Sequence, residues 1–580
     1  MAKSSSLARA LEDAQAGRLD AALAAVRLHM RRYPQDGEAI SMLGLLLVQS
    51  GEVEQAIHHL ARAVKLAPSL PGPRNNLANA LFQADRFADA EREWRTAAEL
   101  DPTYARAWLG LVAARTALDD SAGALDAARR ARSLRAEWPE LDRSESASLA
   151  AADRMEDSVA LLEQAVARDP GSAALRGSLL MQLNFLDRPA REIADAHRGY
   201  AACVRVAPSP PPLDRDPERP LRLGVLSGDL RSHSVAFFAD PIFRHLPEGW
   251  HLTAFSTSRP TPADPLAAEF RRLAGAWCDL AAASDEVIER TIRERRIDVL
   301  IDLSGHTSTG RLAVLDRKPA PVIATAIGYP NTTGHPSIDL RIVDSITDPP
   351  GSESLATERL ARIDPCFLSY RPPTDAPEPA LPEAGRPITF GSFNYLAKIS
   401  PSTLAFWRGT LDACPGSRLL LKSRSFGDPA ASSRFLDRAA AAGIARERIE
   451  VLAFTKGVPE HLALYRRVHV ALDALPYNGT TTTCEALWMG VPLVTVLGDR
   501  HAARVGASLL HAAGLPELVG STREEAAGIA ASLAADRARL APLRAGLRER
   551  LRTSPLLDGA RWASRLHAAL REAWRRRCGS

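Results

Sequence analysis

The chain of 580 residues has little of what a secreted, zinc-binding or membrane protein needs. Its six cysteines stand singly, with no C-x-x-C pair and no cysteine–histidine cluster at zinc spacing, which indicates reduced thiols and no metal site. The start of the sequence has no apolar signal core, and no run approaches about 18 consecutive apolar residues. We therefore expect a cytoplasmic protein that neither enters nor crosses a membrane.

An excess of charge of one sign is also missing. The net charge of +4 is small for this length, and no basic stripe alternates with aromatic residues, so nucleic acid is not an expected partner. The arginine-rich segment 571–577 is more simply a solvent-facing surface. A hydrophobic content of 46% and a charged content of 24% are typical of globular proteins, and the length predicts about three or four domains.

Residues 7 to about 185 repeat with a period of 34. One phase holds Gly17, Gly51, Asp85, Asp119 and Asp153; five residues later come Ala22, Ala56, Ala90, Ala124 and Ser158; Pro34, Pro68, Pro102 and Pro170 close four of the units, and Ala136 stands where another proline is due. The first position separates two helices, the small residue lets them pack closely, and proline cannot continue the second helix. This is the tetratricopeptide signature, and it predicts an α/α superhelix over residues 1–206.

Superhelices of this kind usually hold an extended peptide or a partner domain on their concave surface. We therefore expect a protein or peptide acceptor in the groove, while the repeats alone leave a scaffold partner or a homo-oligomer equally open. Candidate groove residues are Asn75, Asn76, Asn79, Tyr104 and Trp108, although aromatic residues of such repeats more often belong to the core.

The composition changes after a proline-rich linker at 207–220. Apolar strand segments at 221–226, 252–256, 299–303, 322–327 and 340–343 alternate with helical segments at 264–276 and 285–295. Alternation of this kind predicts a parallel sheet with both faces covered, here a Rossmann-like domain over residues 221–370.

A second proline-rich linker at 371–387 precedes another alternating region. Strands are predicted at 388–393, 417–422, 449–452, 468–472 and 492–496, and helices at 401–413, 430–442, 459–467 and 483–489. This makes residues 388–535 a second doubly wound domain, with helices at 536–580 that we expect to pack back on the α/β part. Two such domains in sequence place a crevice between the carboxyl ends of two sets of strands.

Residues 475–492, LPYNGTTTTCEALWMGVP, are the most informative stretch. An apolar strand stops there, Asn478-Gly479 signals a turn, and Thr480 to Thr483 fall where a helix begins. The free N–H groups and the dipole of a helix N-terminus stabilise an anion, and threonine hydroxyls add donors. On this stretch alone, an ordinary threonine cap on a core helix explains the pattern equally well.

Other polar loops follow predicted strands. Residues 227–234 (SGDLRSHS) are not a G-x-G-x-x-G loop, which disfavours a dinucleotide site; His233 there suits a general base or a substrate ligand, although a lone loop histidine usually has no such role. Residues 302–306 and 328–334 form two more such loops. In the second domain, Lys398 could neutralise a diphosphate or be a solvated lysine, and His461 could stack on a base. Together these residues predict a nucleoside-diphosphate site without a Walker motif.

The combination of motifs carries a resemblance to a known family. After the repeats come S-G-D-L-R-S-H, D-L-S-G-H-T, R-K-P-A-P-V, G-Y-P-N-T-T-G, F-N-x-x-x-K-I-x-P and P-Y-N-G-T-T-T-T-C-E-A-L-W-M-G-V-P. From residue 7 to about 535 the chain resembles the O-GlcNAc transferase/SPINDLY family. The resemblance implies a GT-B glycosyltransferase with two Rossmann-like halves, which is inverting, needs no metal or other cofactor, and puts a sugar from a sugar nucleotide on Ser or Thr of proteins.

The resemblance also implies roles for individual residues. Lys398 would hold the diphosphate and stabilise the leaving nucleotide. Thr480, Thr481 and Thr482 would lie at the phosphates, the last two binding them directly. His461 would stack on the nucleobase, Glu485 would reach the ribose, and Asn394 would assist at phosphate or sugar. The sugar would be contacted by the 328–334 loop through Pro330, Asn331 and Thr332. His233 would lie in the active site, with the catalytic base left open, and His306 and Asp302 are weaker candidates.

Departures from the animal transferase leave the donor open. Thr480 and Glu485 replace a histidine and an aspartate of that enzyme, Val458 replaces a lysine three residues before His461, and the long insertion between its catalytic halves is absent. Thr480 to Glu485 and Ser304-Gly-His306 instead resemble the plant SPINDLY branch, some of whose members transfer fucose from GDP-fucose. We expect UDP-GlcNAc as the donor, with GDP-fucose as the alternative. An inactive tetratricopeptide scaffold is disfavoured because Lys398, His461, Thr481 and Thr482 are all retained.

Overall fold

The computed structural model describes residues 2–16, 18–212, 214–258, 263–383 and 385–579. The chain divides into two compact units. The first consists of Met1–Ala165 with Ala281–Ser284, and the second of Val166–Leu280 with Asp285–Ser580. Residues 166–206, which were predicted as part of the superhelix over residues 1–206, therefore group with the α/β part of the chain.

The first unit is built from paired helices. They are α1 (Ala2–Gln15), α2 (Leu19–Arg32), α3 (Gly37–Ser50), α4 (Val53–Leu66), α5 (Pro71–Gln83), α6 (Phe87–Leu100), α7 (Ala105–Ala117), α8 (Ser121–Leu134), α9 (Pro139–Ala151) and α10 (Met155–Arg168), the last of which runs into the second unit. Leucine, alanine and Trp94 side chains from successive pairs form one hydrophobic core. The predicted repeat architecture is confirmed.

The backbone explains the in-phase turn positions. Gly51, Asp85, Asp119 and Asp153 all lie between paired helices with φ of 92°, 57°, 61° and 58°. Glycine adopts this left-handed conformation freely and aspartate tolerates it. Gly17 lies outside the described residues. The small residues five positions later, Ala22, Ala56, Ala90, Ala124 and Ser158, are each 0% exposed, so a larger side chain would have no room between the helices.

Replacing Gly51 with alanine is expected to destabilise the repeat unit by about 1 kcal/mol, because its φ of 92° puts an added Cβ in the strained left-handed region. Gly546→Ala is the matched control. That glycine lies inside a helix, and a methyl group added to it would meet nothing within 4 Å, so alanine there should stabilise by about 0.8 kcal/mol. Urea unfolding followed by circular dichroism measures both. Equal signs for the two variants would contradict the assignment.

The groove candidates differ in accessibility. Asn75 is buried and accepts a hydrogen bond from Trp94 Nε1 at 3.1 Å, so it supports the core and cannot line a groove. Trp108 and Tyr104 are partly buried against the same core, while Asn79 is exposed. A residue pattern cannot separate these cases, because asparagine is compatible with both a core hydrogen bond and a surface position.

The second unit begins with α11 (Ala173–Leu183) and α12 (Ala190–Arg198). The first α/β domain follows, with β1 (Arg222–Ser227), α13 (Ala236–Arg244), β2 (His251–Ser256), α14 (Pro265–Leu273), β3 (Ala276–Asp279), α15 (Asp285–Glu294), β4 (Val299–Asp302), β5 (Val322–Thr325), β6 (Leu340–Val343) and β7 (Arg359–Arg362). Its sheet has the order β3-β2-β1-β4-β5-β6-β7, and each neighbouring pair is parallel.

The second α/β domain repeats this plan. It contains β8 (Thr389–Ser392), α16 (Pro401–Ala413), β9 (Arg418–Lys422), α17 (Pro429–Ala441), β10 (Ile449–Leu452), α18 (Val458–Ala463), β11 (Val470–Leu472), α19 (Thr481–Trp488), β12 (Leu493–Val496), α20 (Val505–Ala512), β13 (Val519–Gly520) and α21 (Arg523–Ala535). The strand order is β10-β9-β8-β11-β12-β13, again parallel throughout. Both orders reverse direction at the first strand, which opens a crevice at the strands' carboxyl ends.

Some predicted bounds were wrong. The helix expected at 264–276 ends at Leu273, and Ala276–Asp279 is a strand, because Gly275 interrupts the helix before a short apolar segment. The edge strand β7 has a charged residue at each end, and α13 contains Pro241; neither was predicted from hydrophobic periodicity.

The C-terminal helices are α22 (Arg537–Arg552) and α23 (Gly559–Gly579). Arg544 of α22 is buried and donates to the main-chain oxygens of Val468 and His469, so this helix covers the second domain. Leu566 and Trp574 of α23 belong instead to the hydrophobic core of the first domain. The expected packing of this segment on the α/β part is confirmed, and it joins both halves.

Candidate functional site

The turn between β11 and α19 is held by Asp473. Its carboxylate is fully buried and accepts hydrogen bonds from Gly479 N at 2.7 Å, Ala474 N at 2.9 Å and Thr495 Oγ1 at 2.8 Å. Burial raises the pKa of Asp473 to about 6. The side chain of Asn478, also fully buried, bonds Ala474 O and Gly506 N. The turn is therefore a rigid entry to the helix.

Helix α19 begins at Thr481, so the threonines lie at its N-terminus as predicted. Thr480 occupies the N-cap position, but its side chain makes no capping hydrogen bond, which disfavours the interpretation as an ordinary cap. Thr480, Thr481 and Thr482 are partly exposed, whereas Thr483 is buried. The hydroxyl groups of Thr480 and Thr481 and the free N–H groups of this helix end are thus available to an anion.

Asn394 lies beside the helix entry. It accepts a hydrogen bond from Thr482 Oγ1 at 3.1 Å and donates to Ser392 Oγ at 3.1 Å. A Cβ on Gly479 would come 2.4 Å from Thr482 Oγ1 and 2.9 Å from Asn394 Oδ1, so only glycine permits this approach. The structure brings the predicted residues Asn394 and Thr482 into direct contact.

Lys398 ends a short 3-10 helix after β8 and reaches the same turn. Its Nζ donates to Asn478 O at 2.9 Å and lies 3.9 Å from the centre of the Tyr477 ring. Burial lowers the pKa of Lys398 to about 8, and Asp473 opposes this effect. The side chain is still partly exposed, so the Lys398 ammonium lies next to the N-terminus of α19 and remains accessible to a ligand.

His461 and Glu485 form one hydrogen-bonded chain with Lys422. Lys422 Nζ lies 2.9 Å from His461 Nδ1, and His461 Nε2 lies 3.1 Å from Glu485 Oε2. An ammonium group can only donate, so Nδ1 is the acceptor and Nε2–H donates to the carboxylate. Burial lowers the pKa of Lys422, and Glu485 opposes this effect. The chain fixes the tautomer and the plane of the imidazole.

His233 lies in the first domain beside Asp229. Its Nδ1 is 3.5 Å from Asp229 Oδ1 and accepts a hydrogen bond from Val235 N at 3.3 Å. Burial lowers the pKa of His233, and Asp229 raises it. Asp229 is 2% exposed and its other oxygen accepts from Thr309 Oγ1 at 3.0 Å. The histidine side chain is 40% exposed, so it remains accessible.

Asp302 and His306 are engaged within the protein. Asp302 is buried and accepts from Ser304 N and Gly305 N, which shapes the loop after β4. His306 Nε2 lies 2.7 Å from Thr333 O, and burial lowers the pKa of His306 to about 4. The neutral imidazole thus joins two loops of the first domain.

The predicted sugar-contact residues Pro330, Asn331 and Thr332 are buried. Asn331 Nδ2 donates to Asn184 Oδ1 at 2.9 Å, and Thr332 Oγ1 donates to Glu358 Oε2 at 2.5 Å. Their side chains hold the 328–334 loop in place. Contact between this loop and the sugar stays a prediction, and the main chain of the loop would make that contact. The sequence analysis missed the partner of Asn331, because Asn184 lies 147 positions away in sequence.

Three further groups at the site were not predicted as site residues. Asp473 directly follows β11 and is a polar residue inside an apolar run. Tyr477 lies within residues 475–492, and Lys422 is the last residue of β9. A charged residue at the carboxyl end of a parallel strand is the sequence signal that could have identified Asp473 and Lys422.

Side-chain clusters that could bind a metal ion and helices that could span a membrane are both absent from the described residues. No group of three or more His, Cys, Asp or Glu side chains there could hold a metal ion. No helix in this part of the chain is long and apolar enough to cross a membrane. All six cysteines carry free thiols.

Comparison with known proteins agrees with this geometry. The chain is 37% identical over 423 residues to the Arabidopsis thaliana protein named probable UDP-N-acetylglucosamine–peptide N-acetylglucosaminyltransferase SPINDLY, covering 71% of this chain and 46% of that protein. It is 38% identical to the protein of the same name from Petunia hybrida, covering 71% of this chain and 45% of the relative. The chain therefore spans about half the length of these curated relatives.

A solved structure extends the likeness to the fold. A mutant of the Thermobaculum terrenum O-GlcNAc transferase matches with a TM-score of 0.83 and 33% identity, over 88% of this chain and 98% of that one. The predicted fold class, tetratricopeptide repeats followed by two Rossmann-like halves of a GT-B glycosyltransferase, is confirmed. A family model named glycosyl transferase family 41 matches residues 212–369 and 377–566. Because these matches cover both α/β domains, the chain belongs to glycosyl transferase family 41.

Proposed function

We propose that this protein is an inverting, metal-independent O-glycosyltransferase that moves N-acetylglucosamine from UDP-GlcNAc to Ser or Thr of proteins. The observation that carries the proposal is the assembly of Lys398, Asn394 and the N-terminus of α19 around one turn, with His461 and Glu485 bonded alongside. A lysine and a helix N-terminus that face the same space form a site for a diphosphate.

Charge development at the diphosphate explains the role of Lys398. As the bond between the sugar C1 and the diphosphate oxygen breaks, negative charge grows on the leaving nucleotide. The Lys398 ammonium and the N–H groups of α19 stabilise that charge, which is the task that a metal ion performs in other transferases. The acceptor hydroxyl oxygen forms its bond to C1 from the opposite face, its proton passes to a base, and the configuration at C1 inverts.

The His461 chain suits recognition of the nucleoside. Lys422 and Glu485 occupy both ring nitrogens, and the Phe393 and Tyr465 rings lie 5.9 and 6.0 Å from the imidazole, so a base would stack on the part of the ring that these contacts leave exposed. Glu485 keeps a second carboxylate oxygen for a ribose hydroxyl.

The acceptor is a protein, and the repeats are its docking surface in this proposal. The relatives' names contain the word peptide, and tetratricopeptide repeats typically hold extended segments. Free thiols at all six cysteines agree with an acceptor pool in the reducing cytoplasm.

A second candidate donor is GDP-fucose. It is favoured by Val458, which stands where the animal enzyme has a lysine three residues before the base-stacking histidine, and by Thr480 and Glu485. UDP-GlcNAc is preferred because the names of the relatives from Arabidopsis, Petunia and Thermobaculum refer to N-acetylglucosamine or to O-GlcNAc.

Calorimetric titration of the full chain with UDP and with GDP tests the proposal. We expect UDP to bind at least about tenfold more tightly, a difference of about 1.4 kcal/mol. Tighter binding of GDP would reject UDP-GlcNAc as donor in favour of GDP-fucose. Binding of neither nucleotide would support the scaffold hypothesis, and incubation with radiolabelled UDP-GlcNAc and a protein acceptor mixture then checks transfer directly.

A further inference from the structure

The turn between α11 and α12, residues 184–189, is packed against both α/β domains. On the first domain, Asn184 Nδ2 donates to Tyr329 Oη at 3.1 Å, and Asn184 Oδ1 accepts from Asn331. On the second domain, Asp187 accepts from Ser400 Oγ at 3.1 Å. This segment therefore belongs to the same compact structure as the site, although it was predicted as part of the superhelix over residues 1–206.

Phe185 is the apolar residue of this turn that approaches the site. It is 6% exposed, and its ring stacks on the Tyr477 ring with centroids 5.2 Å apart and planes inclined by 21°. Lys398 contacts the same tyrosine ring, because its Nζ lies 3.9 Å from the ring centre. Phe185, Tyr477 and Lys398 thus form one continuous row from the turn to the cation.

We propose that Phe185 is a positioning residue for sugar transfer: its ring holds Tyr477 against the Lys398 ammonium, and so fixes the place and the hydration of the cation that faces the diphosphate. The inference rests on the proposed function, because it assigns Lys398 its task there. Phe185 itself touches neither donor nor acceptor in this proposal.

The electrostatic surroundings of Lys398 supply a readout. The titratable groups near Lys398 include Asp473 just after β11, Tyr477 in the following turn, and Asp187, which accepts a hydrogen bond from Ser400. Two guanidinium groups bind the same segments: Arg438 donates to Ile399 O at 2.7 Å, and Arg500 donates to Leu186 O at 2.9 Å. Burial lowers the pKa of Lys398 to about 8, and Asp473 opposes this effect. Since burial outweighs Asp473, admitting water is expected to raise this pKa.

The test compares Phe185→Ala with Phe185→Leu in the full chain. Alanine leaves Tyr477 free to move and admits water, so we expect kcat to fall about tenfold and the Lys398 pKa to rise by about one pH unit. Leucine keeps most of the apolar volume and should preserve that pKa. The pKa is measured by competitive labelling of the lysine amine with acetic anhydride over a pH series, followed by mass spectrometry of the peptide that contains Lys398.

Phe82→Ala is the matched control. It removes the same atoms as Phe185→Ala, but from a ring that packs on Trp94 in the repeat core and is distant in sequence from Lys398. It should leave the Lys398 pKa unchanged. If Phe185→Ala does not fold, Phe185→Val replaces it with the same expected direction.

Two outcomes overturn the inference. One is a Phe185→Ala variant with wild-type kcat and a wild-type Lys398 pKa; the other is a lower kcat with an unchanged pKa, which makes Phe185 a core residue only. Labelling needs no sugar transfer. Failure of the proposed function therefore appears as wild-type protein that transfers no sugar, and failure of the inference as an unchanged pKa.

Discussion

Lys398→Ala is expected to lower kcat by about 10³-fold while the repeat unit stays folded. The variant removes the cation next to the N-terminus of α19, so charge on the leaving diphosphate loses a preorganised partner. A factor of 10³ corresponds to about 4 kcal/mol of transition-state stabilisation. Initial rates of transfer from a radiolabelled donor at saturating concentration measure kcat.

The pH dependence of the wild-type enzyme belongs to the same prediction. Burial lowers the pKa of Lys398 to about 8, so the free enzyme loses its ammonium as the pH rises through that value. Because kcat/KM reports groups of the free enzyme, it should fall on the alkaline side with a midpoint near pH 8. The alkaline limb should be absent from the residual activity of Lys398→Ala.

Lys456→Ala provides the control for loss of a positive charge. Lys456 is exposed in the same domain, and its removal should change kcat by less than about twofold. Circular dichroism and thermal unfolding of all variants exclude a folding defect. Full turnover by Lys398→Ala would remove this lysine from the mechanism, and Lys398→Arg with wild-type activity would show that any cation suffices.

The repeats were predictable because one physical requirement recurs in each. Asp85, Asp119 and Asp153 adopt the same left-handed backbone as Gly51, and the small residue five positions later is always buried. Local rules of turn conformation and helix packing therefore suffice, and a period in the sequence reports them directly.

The arrangement of residues at the start of α19 was predictable for the same reason, while phosphate binding there stays a prediction. Thr480 to Thr482, Gly479 and the start of α19 are neighbours in sequence, so strand, turn and helix signals place them together. Lys398 and Asn394 follow a predicted strand of the same parallel sheet. Strands of one parallel sheet end at one edge, which brings these distant segments to the same turn.

The 328–334 loop shows where this reasoning stops. Asn331 resembles a ligand-binding residue in its loop context, but its amide bonds Asn184 in the turn after α11, and Thr332 bonds Glu358. Asn184 is a partner because the turn after α11 covers the loop, and Glu358 is one because it immediately precedes β7; no periodicity carries that information. The same limit explains Phe185, since a repeat pattern does not reveal that its last turn packs beside the lysine of another domain.

The second large effect is expected from Asp348→Asn, which should lower the free energy of unfolding of the α/β unit by about 3 kcal/mol. Asp348 is buried between Arg341 and His501: its Oδ2 lies 2.5 Å from His501 Nδ1, and its Oδ1 lies 3.5 Å from Arg341. Arg341 is 4% exposed, so the isosteric asparagine leaves a buried guanidinium without its counter-charge. Urea unfolding followed by tryptophan fluorescence measures the loss.

The pH dependence of that loss identifies its electrostatic origin. Burial opposes ionisation of Asp348, but His501 and Arg341 outweigh it and hold its pKa well below the usual range. A lowered pKa stabilises the fold above the unfolded-state value, and this contribution disappears as the pH falls towards the folded value. The difference between wild type and Asp348→Asn should therefore be largest near neutral pH and shrink below about pH 4.

Asp412→Asn is the matched control, because Asp412 pairs with Arg408 at 3.3 Å with both side chains more than half exposed. Its loss should cost less than about 0.5 kcal/mol. Adding Arg341→Met to Asp348→Asn removes the unpaired cation and should recover part of the stability. If Asp348→Asn costs no more than Asp412→Asn, or if the cost is independent of pH, the buried charge does not hold these segments together.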